Sequence, residues 1–469
     1  MSRRLRVLHA IHDFLPRHQA GSEIYAFDLA REQGASHDVF VLAAEYDPSA
    51  HHGTLRWRAH DGLVVIEVVN NWECDGFERS YQSPRLDEQL GHALDAVRPD
   101  VVHVHSLFNL SFGLPRLARE RGASVVGTLH DYTLVCPSGG QRVHVAEEHV
   151  CEEIDAERCS RCFVQSPLYS QMAAGRATRL PGGRMLGRAA KWMRRVAPSV
   201  TAAAAATLDA GPVTAGDIRR RLAHARGVFE AVDLWVAPSP SLGAEFVRLG
   251  LDPRRLEISD YGFPELPNPA PRTSNPEPRT RNPEPGTRNL FRVGFIGTLV
   301  WHKGAHVLLQ AARLLKGEVE VHLYGDTTVF PDYVATLRRL ASELPVTFHG
   351  RFERAAAADV YGDLDALAVP SLWPENSPLV IHEAFMHGVP VIGARMGGIA
   401  DLIRHDVNGL LAEPASPASL SAMLSRLTRE PGLPQRLSAA APRVKSIAED
   451  AAEWNARYER VLAGVPAAS

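Results

Sequence analysis

The sequence has no uninterrupted apolar run approaching the roughly 18 residues that a membrane-spanning helix requires, so it does not read as a helical membrane protein. It also lacks a dominant charge. Basic residues (51) nearly balance acidic ones (54), and a net charge of −3 gives no global electrostatic reason for nucleic acid as a partner. Cysteine is scarce, five in all, an odd number that suits a reducing compartment better than a disulfide framework. No strand candidate is followed by GxGxxG, which disfavours an NAD-dependent dehydrogenase. The opening MSRRLRVLHAIHDFL sets basic residues before apolar ones in the manner of a secretion signal. His9, His12 and Asp13 break that run and no small-residue cleavage site follows, so it reads as a first β-strand, and the expected location is the cytoplasm.

At 469 residues the chain exceeds one ordinary core and suits two domains. Short apolar, β-branched runs alternate with amphipathic stretches, the pattern of parallel sheets with crossover helices. In the first half the expected strands are Leu5–Ile11, Val39–Ala43, Leu63–Val69, Val101–His105, Ser124–Leu129 and Leu234–Pro238. In the second half they are Val293–Gly297, Val319–Tyr324, Val346–Gly350, Ala366–Pro370 and Pro390–Gly393. Helices are expected at Glu23–Glu32, Ala305–Leu315 and Leu379–His387. Between the halves, LPNPAPRTSNPEPRTRNPEPGTRN repeats Asn-Pro-Glu-Pro at Asn275 and Asn282, which favours an extended, solvated linker. The expected division is a first domain over 1–265, with a cysteine-rich insertion at about 136–200, and a linker over 266–290. A second domain follows over 291–445, then a terminal helix over 446–469 that packs back on the first domain.

Two segments of the second half carry chemistry. GFIGTLVWHKGAHVLLQAARLL reads as a strand, a turn bearing Gly297 and Thr298, and a helix beginning near Ala305. Such a turn aims backbone N–H groups and the positive helix end at an anion, and Lys303 adds a mobile cation. Further on, ALAVPSLWPENSPLVIHEAFMHGVPVIGARMGGIADLI ends a buried strand at Pro370–Ser371, the carboxyl edge where open α/β sheets bind ligands. Asn376 or Ser377 can cap the next helix and Pro378 suits its first turn. Glu375 then lies above the sheet and Glu383 about two turns along the helix. A carboxylate accepting from two vicinal hydroxyls makes a ribose clamp, although Glu383 would equally suit a satisfied structural carboxylate.

Glu375, Glu383, the PLVIHEAF context, the GVPVIGA strand and the Gly397–Gly398 turn resemble the signature of glycosyltransferase family 4. The resemblance implies an α/β fold of the GT-B class, two Rossmann-like domains whose parallel sheets face each other across a cleft. It also implies retaining, metal-independent transfer from a nucleotide sugar such as a UDP- or GDP-sugar. By the same resemblance Glu383 holds the ribose, Glu375 lies by the donor sugar, and the backbone at Ser377, Pro378 and Leu379 approaches the diphosphate. Lys303 matches the lysine that neutralises the departing diphosphate. Thr298 stands where many members carry arginine, and losing such a donor can cost on the order of 2.7–4 kcal/mol of barrier. Arg395 is a candidate substitute.

The first half resembles the same family in HDFLPRHQAGSEIYAFDLARE, where Gly21 and Ser22 occupy the positions usually held by two glycines beside nucleotide and acceptor. In DVVHVHS, His103 and His105 share a strand face; His105 is nearer the edge, where the family often has a histidine beside the transferred sugar. His130 and Asp131 end the next strand on the acceptor side, Asp131 as a base or polar anchor. The implied acceptor is a glycan or lipid-linked molecule of surface polysaccharide or lipopolysaccharide assembly. Two alternatives stay open, a nucleotide-sugar epimerase or phosphorylase of the same fold and an inactive binding subunit.

Cys136, Cys151, Cys159 and Cys162 fall within 27 residues and include a CxxC, a set suited to a structural zinc remote from the chemistry. Reduced thiols and a redox pair are the competing readings. The basic, apolar-studded stretch 176–195 suits either a solvated helix or contact with an anionic membrane at its inner face. Asp363–Leu364–Asp365 has the form of a metal-binding DxD, but it directly precedes a strand and is read as structural.

Overall fold

The computed structural model describes residues 3–179, 210–265 and 290–464. The Pro-rich stretch 266–289 and the basic segment from residue 180 onward lie outside the described residues, as do the expectations placed on them. The chain divides into two compact units, one formed by Met1–Pro264 with Lys445–Ser469, the other by Glu265–Val444.

The first unit is built on an eight-stranded sheet ordered Leu256–Ile258, Leu234–Ala237, Ser124–Thr128, Val101–Val104, Arg6–Ile11, Asp38–Glu45, Leu63–Val69 and Leu55–His60. All pairs are parallel except the last, where Leu55–His60 returns antiparallel on Leu63–Val69. The central strands are apolar because helices cover both faces; every residue of Val101–Val104 is buried. The antiparallel edge strand is instead alternately exposed, and it is joined through Asp61 and Gly62, both at positive φ (44° and 83°). The helix Ile447–Leu462 belongs to this unit. A capping box of Ser446 and Glu449 starts it, and it buries Trp454 and Tyr458. It docks on the helix Gly21–Gln33: the Tyr25 hydroxyl donates to Asp450 Oδ2 (2.8 Å) and accepts from Trp454 Nε1 (3.0 Å).

The second unit is a six-stranded, wholly parallel sheet ordered Val346–Gly350, Val319–Tyr324, Phe291–Ile296, Ala366–Val369, Val391–Ala394 and Leu410–Ala412. Counted along the chain this is the doubly wound order 3-2-1-4-5-6, which switches direction between Phe291–Ile296 and Ala366–Val369. Crossover helices including Ala305–Leu314, Pro331–Leu340 and Leu379–Met386 connect the strands. The first unit has the same switch between Arg6–Ile11 and Val101–Val104. In each unit, a crevice for a ligand is therefore expected beyond the carboxyl ends of one particular pair of strands.

Candidate functional site

In the second unit the residues after both switch-point strands converge. After Ile296 the chain turns at Gly297, whose N–H donates to the Tyr324 carbonyl (3.0 Å). It makes one turn of 3-10 helix, Trp301–Lys303, then passes Gly304 at φ 78° into the helix Ala305–Leu314. Gly304 is required here, since a Cβ would lie 1.9 Å from the Pro370 carbonyl oxygen. That close approach delivers Lys303 to the loop after Val369. Its Nζ donates to Glu375 Oε1 (2.6 Å) and lies 5.3 Å from the Trp373 ring centroid. Ser371 Oγ donates to the same carboxylate oxygen (2.7 Å). Behind the loop, a Cβ on Gly398 would meet the Asn376 carbonyl oxygen at 1.8 Å, while the Gly398 N–H donates to the Glu375 carbonyl (2.7 Å). The paired glycines thus set the height of the loop that carries Glu375.

The helix Leu379–Met386 begins without a side-chain cap. Pro378 is its N-cap residue, and Ser377 Oγ lies 2.9 Å from His382 Nε2. The expected capping by Asn376 or Ser377 does not occur, because proline supplies the extended entry itself. Backbone donors of the first turn are left without a side-chain partner. Glu383 accepts from the Tyr361 hydroxyl through Oε2 (2.6 Å), and burial raises its pKa despite that bond and Arg354. Thr298 is exposed, and Arg395 is paired with the exposed Glu413 (3.0 Å). Asp365 behaves as a strand lead-in, its Oδ2 accepting from the Arg292 N–H (2.8 Å).

The first unit gathers polar residues at its own switch point. His12 and Asp13 follow Arg6–Ile11, His105 follows Val101–Val104, and His130 and Asp131 follow Ser124–Thr128. His12 Nε2 lies 3.4 Å from Glu23 Oε1, and Ser22 Oγ donates to Glu23 Oε2 (2.8 Å). Burial opposes both charges, yet the pair overcomes it. Glu23 is held down to about 2, and His12 is raised by Glu23, Asp13 and Asp131. Burial raises Asp131, whose Oδ1 accepts from the Thr133 N–H (2.7 Å). Gly21 opens the helix Gly21–Gln33, which has Ala20 as N-cap and no side-chain cap.

His105 is placed differently from a group facing a substrate. Only 3% exposed, it has both ring nitrogens in protein hydrogen bonds, Nε2 to His9 Nδ1 (2.9 Å) and Nδ1 to His130 Nε2 (3.0 Å). The chain continues from His9 Nε2 to Gln33 Oε1 (3.0 Å) and from His130 Nδ1 to the Tyr261 hydroxyl (2.8 Å). Gln33 donates its amide N–H to Asn455 Oδ1, so its oxygen accepts from His9. With every ring neutral, each then carries its proton on Nε2, and Tyr261 donates to His130. Burial enforces that neutrality, lowering His9 to about 4 and His130 to about 3 and holding His103 and His105 well below the ordinary imidazole value. His103 sits beside this chain, bonded to Tyr458 (2.7 Å) and Thr128 (2.8 Å).

The four clustered cysteines are all free thiols. Cys151 follows a two-residue hairpin, Val143–His144 with His149–Val150, and Cys159 and Cys162 lie on the helix Ala156–Val164. Cys159 and Cys162 each interact electrostatically with Cys136 and Cys151. Among the described residues, two groups place three ligand atoms within 4.8 Å of one another, His9–His103–His105 and His12–Asp13–Glu23; neither contains a cysteine. The four sulfurs therefore do not form a closed tetrahedral set in this conformation.

Several of these residues are not singled out by the sequence reading: His12 and Glu23, Ser371, Tyr361, and the neighbours His302 and Trp373. The repeated His-Asp dipeptide, His12–Asp13 and His130–Asp131, each at a strand's carboxyl end, is a sequence signal for the first pair. Among the described residues no helix is long and apolar enough to cross a membrane.

Comparison with known proteins gives the architecture a family. Residues 20–260, just over half the chain, match the model described as Glycosyltransferase Family 4, and residues 291–430 match Glycosyl transferases group 1. A D-inositol 3-phosphate glycosyltransferase of Xylanimonas cellulosilytica is 35% identical over 151 residues, covering 31% of this chain and 36% of the relative. A sulfoquinovosyl transferase of Arabidopsis thaliana is 28% identical over 204 residues, covering 43% and 38%. These matches span little more than a third of the curated relatives' length. Solved structures extend the likeness in fold to nearly the whole chain. Anabaena HepE, solved with UDP and glucose, superposes with a TM-score of 0.61 at 17% identity, covering 98% of this chain and all of that one. Sucrose-phosphate synthase from Thermosynechococcus elongatus gives 0.61 at 15% identity, with the same coverage. With two Rossmann-like units and a family model over more than half its length, the chain belongs to glycosyltransferase family 4 and has the GT-B fold.

Proposed function

We propose that the chain is a retaining glycosyltransferase that moves a sugar from a nucleoside-diphosphate sugar to a glycan or lipid-linked acceptor in surface polysaccharide or lipopolysaccharide assembly. The observation that carries this reading is the Lys303–Glu375 pair at the second unit's switch point, with Glu383 on the helix that follows the same loop. The uncapped helix start at Leu379 offers backbone N–H groups and a positive dipole end to a diphosphate, and Lys303 offers a cation. Tyr361 holds Glu383 Oε2, which leaves Oε1 to accept from the ribose hydroxyls. Glu375, fixed by Lys303 and Ser371, lies beside the transferred sugar. No side chain is assigned as a nucleophile, so departure and attack are proposed on one face of the sugar. The protein's contribution is then positioning and stabilisation of the leaving diphosphate, without a catalytic metal. Lys303 carries that charge with backbone help, as Thr298 is neutral and Arg395 is held by Glu413.

On the acceptor side, the His12–Glu23 pair and Asp131 are proposed to meet the acceptor, with His130 beside them. His105 is assigned a positioning role, since its nitrogens orient His130 and His9. Among the relatives, one is named for D-inositol 3-phosphate and another for the sulfoquinovosyl group that it transfers.

Calorimetric titration of the purified protein with UDP, GDP, ADP and dTDP, repeated on Glu383→Ala, tests the donor assignment. One nucleoside diphosphate is expected to bind, and the variant to lose it. Absence of binding by a folded protein would remove the donor site and favour an inactive binding subunit.

A further inference from the structure

Burying a polar group without a hydrogen-bond partner costs on the order of 1–3 kcal/mol, so native proteins rarely leave such groups close together. Among the described residues of the second unit, side chains do so at one place. His302 is 2% exposed and neither ring nitrogen has a partner; Trp373 is 4% exposed and its indole N–H has none. The other candidates in this unit are accounted for. His322 Nε2 faces Glu320 (3.4 Å), Asp406 Oδ1 faces Arg426 (2.8 Å), and Asn376 is not without a partner.

The two orphans are neighbours. Their rings meet edge to face, with centroids 5.9 Å apart and planes at 89°, and the Leu372 N–H donates to the His302 carbonyl (2.8 Å). They flank the Lys303–Glu375 pair, Trp373 lying under the Lys303 ammonium and His302 preceding it in the chain. Phenylalanine at both positions would fill a comparable space without stranding three polar atoms. Keeping them polar makes sense if a ligand completes their bonds.

We infer that His302 and Trp373 form a hydroxyl-recognition pair for the transferred sugar of the nucleotide donor; this rests on the nucleotide-sugar reading above. A neutral imidazole offers one N–H and one lone pair, and the indole offers one N–H. Neighbouring sugar hydroxyls, each both donor and acceptor, complement that set. Burial, reinforced by Lys303, lowers His302 to about 4 and keeps it neutral near pH 7. A neutral ring can accept from a hydroxyl as well as donate, so it suits a sugar better than a phosphate, which only accepts near neutral pH.

The test separates sugar from diphosphate. Wild type, His302→Phe and Trp373→Phe are titrated with UDP and UDP-glucose, or with GDP and GDP-mannose, whichever pair the wild type binds. The expected result is at least a 10-fold loss of affinity for the sugar conjugate in each variant, with the free diphosphate changed less than about 2-fold. His302→Gln, which restores a donor and an acceptor, is expected to recover part of that loss. Imidazole 15N shifts of His302 in the wild type provide a readout without mutation. They are expected to move with the conjugate and stay put with the diphosphate. Equal losses for both ligands, no loss for either, or 15N shifts that answer to the diphosphate alone would overturn the pair. If the diphosphate binds and Glu383→Ala abolishes it while these variants still treat the conjugate as wild type does, only the sugar-recognition pair falls. Failure of every diphosphate and conjugate to bind the wild type would take the nucleotide-sugar reading, and this inference with it.

Discussion

Lys303 has two partners competing for one ammonium. Without a ligand it is hydrogen-bonded to Glu375 at 2.6 Å, and in the proposed reaction it also balances charge on the leaving diphosphate. Replacing it with glutamine shortens the side chain by one atom, withdrawing its end from Glu375, and removes the charge. Lys303→Gln is expected to lower kcat about 100- to 1,000-fold, the scale of losing one preorganised donor to a developing anion. It should also lower unfolding stability by about 1–3 kcal/mol, because Glu375 stays buried with Ser371 as its remaining neutral partner. Product formation and a denaturation curve on the same preparation check both; an unchanged kcat would move the diphosphate cation elsewhere. Lys303, Glu375 and Glu383 were legible because spacing along the chain places them on a turn, a loop and a helix that share one sheet edge. Glu23, His302 and Trp373 were not, because their meaning is tertiary. Nothing local says that Glu23 meets His12 or that His302 is left without a partner.

At the scale of elements, the long apolar strands declared themselves and the short edges did not. Leu256–Ile258 and Leu410–Ala412 span three residues each, too few for any periodicity to emerge. Leu55–His60 was readable in retrospect from Asp61–Gly62, a turn dipeptide set between two β-prone runs. The cysteine-bearing insertion poses a different problem. Its hairpin strands have two residues each and its helix, Ala156–Val164, has nine, so it has little core of its own. Beside it Arg221 is buried, donates to the Thr133 and Leu134 carbonyls, and has Cys136 and Cys159 among its electrostatic neighbours. Negative charge on those thiols, as in a metal thiolate, would compensate it. We propose that zinc draws the four sulfurs inward to tetrahedral distances. Protein purified without chelator is then expected to carry about one zinc per chain by elemental analysis, and Cys159→Ser to carry markedly less. Zinc removal should make the insertion more sensitive to limited proteolysis while leaving nucleoside diphosphate affinity unchanged. A metal-free preparation with the wild-type proteolysis pattern would leave these residues as reduced thiols.

Across the whole molecule, a doubly wound sheet switches direction once in each unit, and both units put polar residues at that switch point. The sequence carried this through strand order alone, since alternating strands and helices with a parallel sheet leave few connections to choose from. What it could not carry was the interior of the first unit. There four neutral histidines occupy the space beneath the proposed acceptor site, three of them, His9, His105 and His130, in a chain that ends on the terminal helix through Gln33 and Asn455. Their neutrality sets a pH dependence with a definite sign. In the folded protein His9 titrates near 4 and His130 near 3, whereas in the unfolded chain each returns to about 6.5. The unfolded state therefore binds more protons below pH 6.5, and stability must fall as pH drops through that value, by on the order of 1.4 kcal/mol per pH unit for each such group. Within the window from 6.5 to 4.5 the raised Asp13 and Asp131 soften the fall, because the fold binds their protons more tightly than the unfolded chain does, and two further groups act outside it. The raised His12 gives stability that persists as pH falls, and Glu23, held near 2, loses its contribution only below about 4.5. Urea midpoints of the first unit's transition at pH 7, 6 and 5 are expected to decline steadily. In His9→Gln the decline should be shallower by about one proton's worth of slope. A flat profile between pH 7 and 5 would mean that the histidines are charged in the folded core, and that the tautomer order from Tyr261 to Gln33 does not exist.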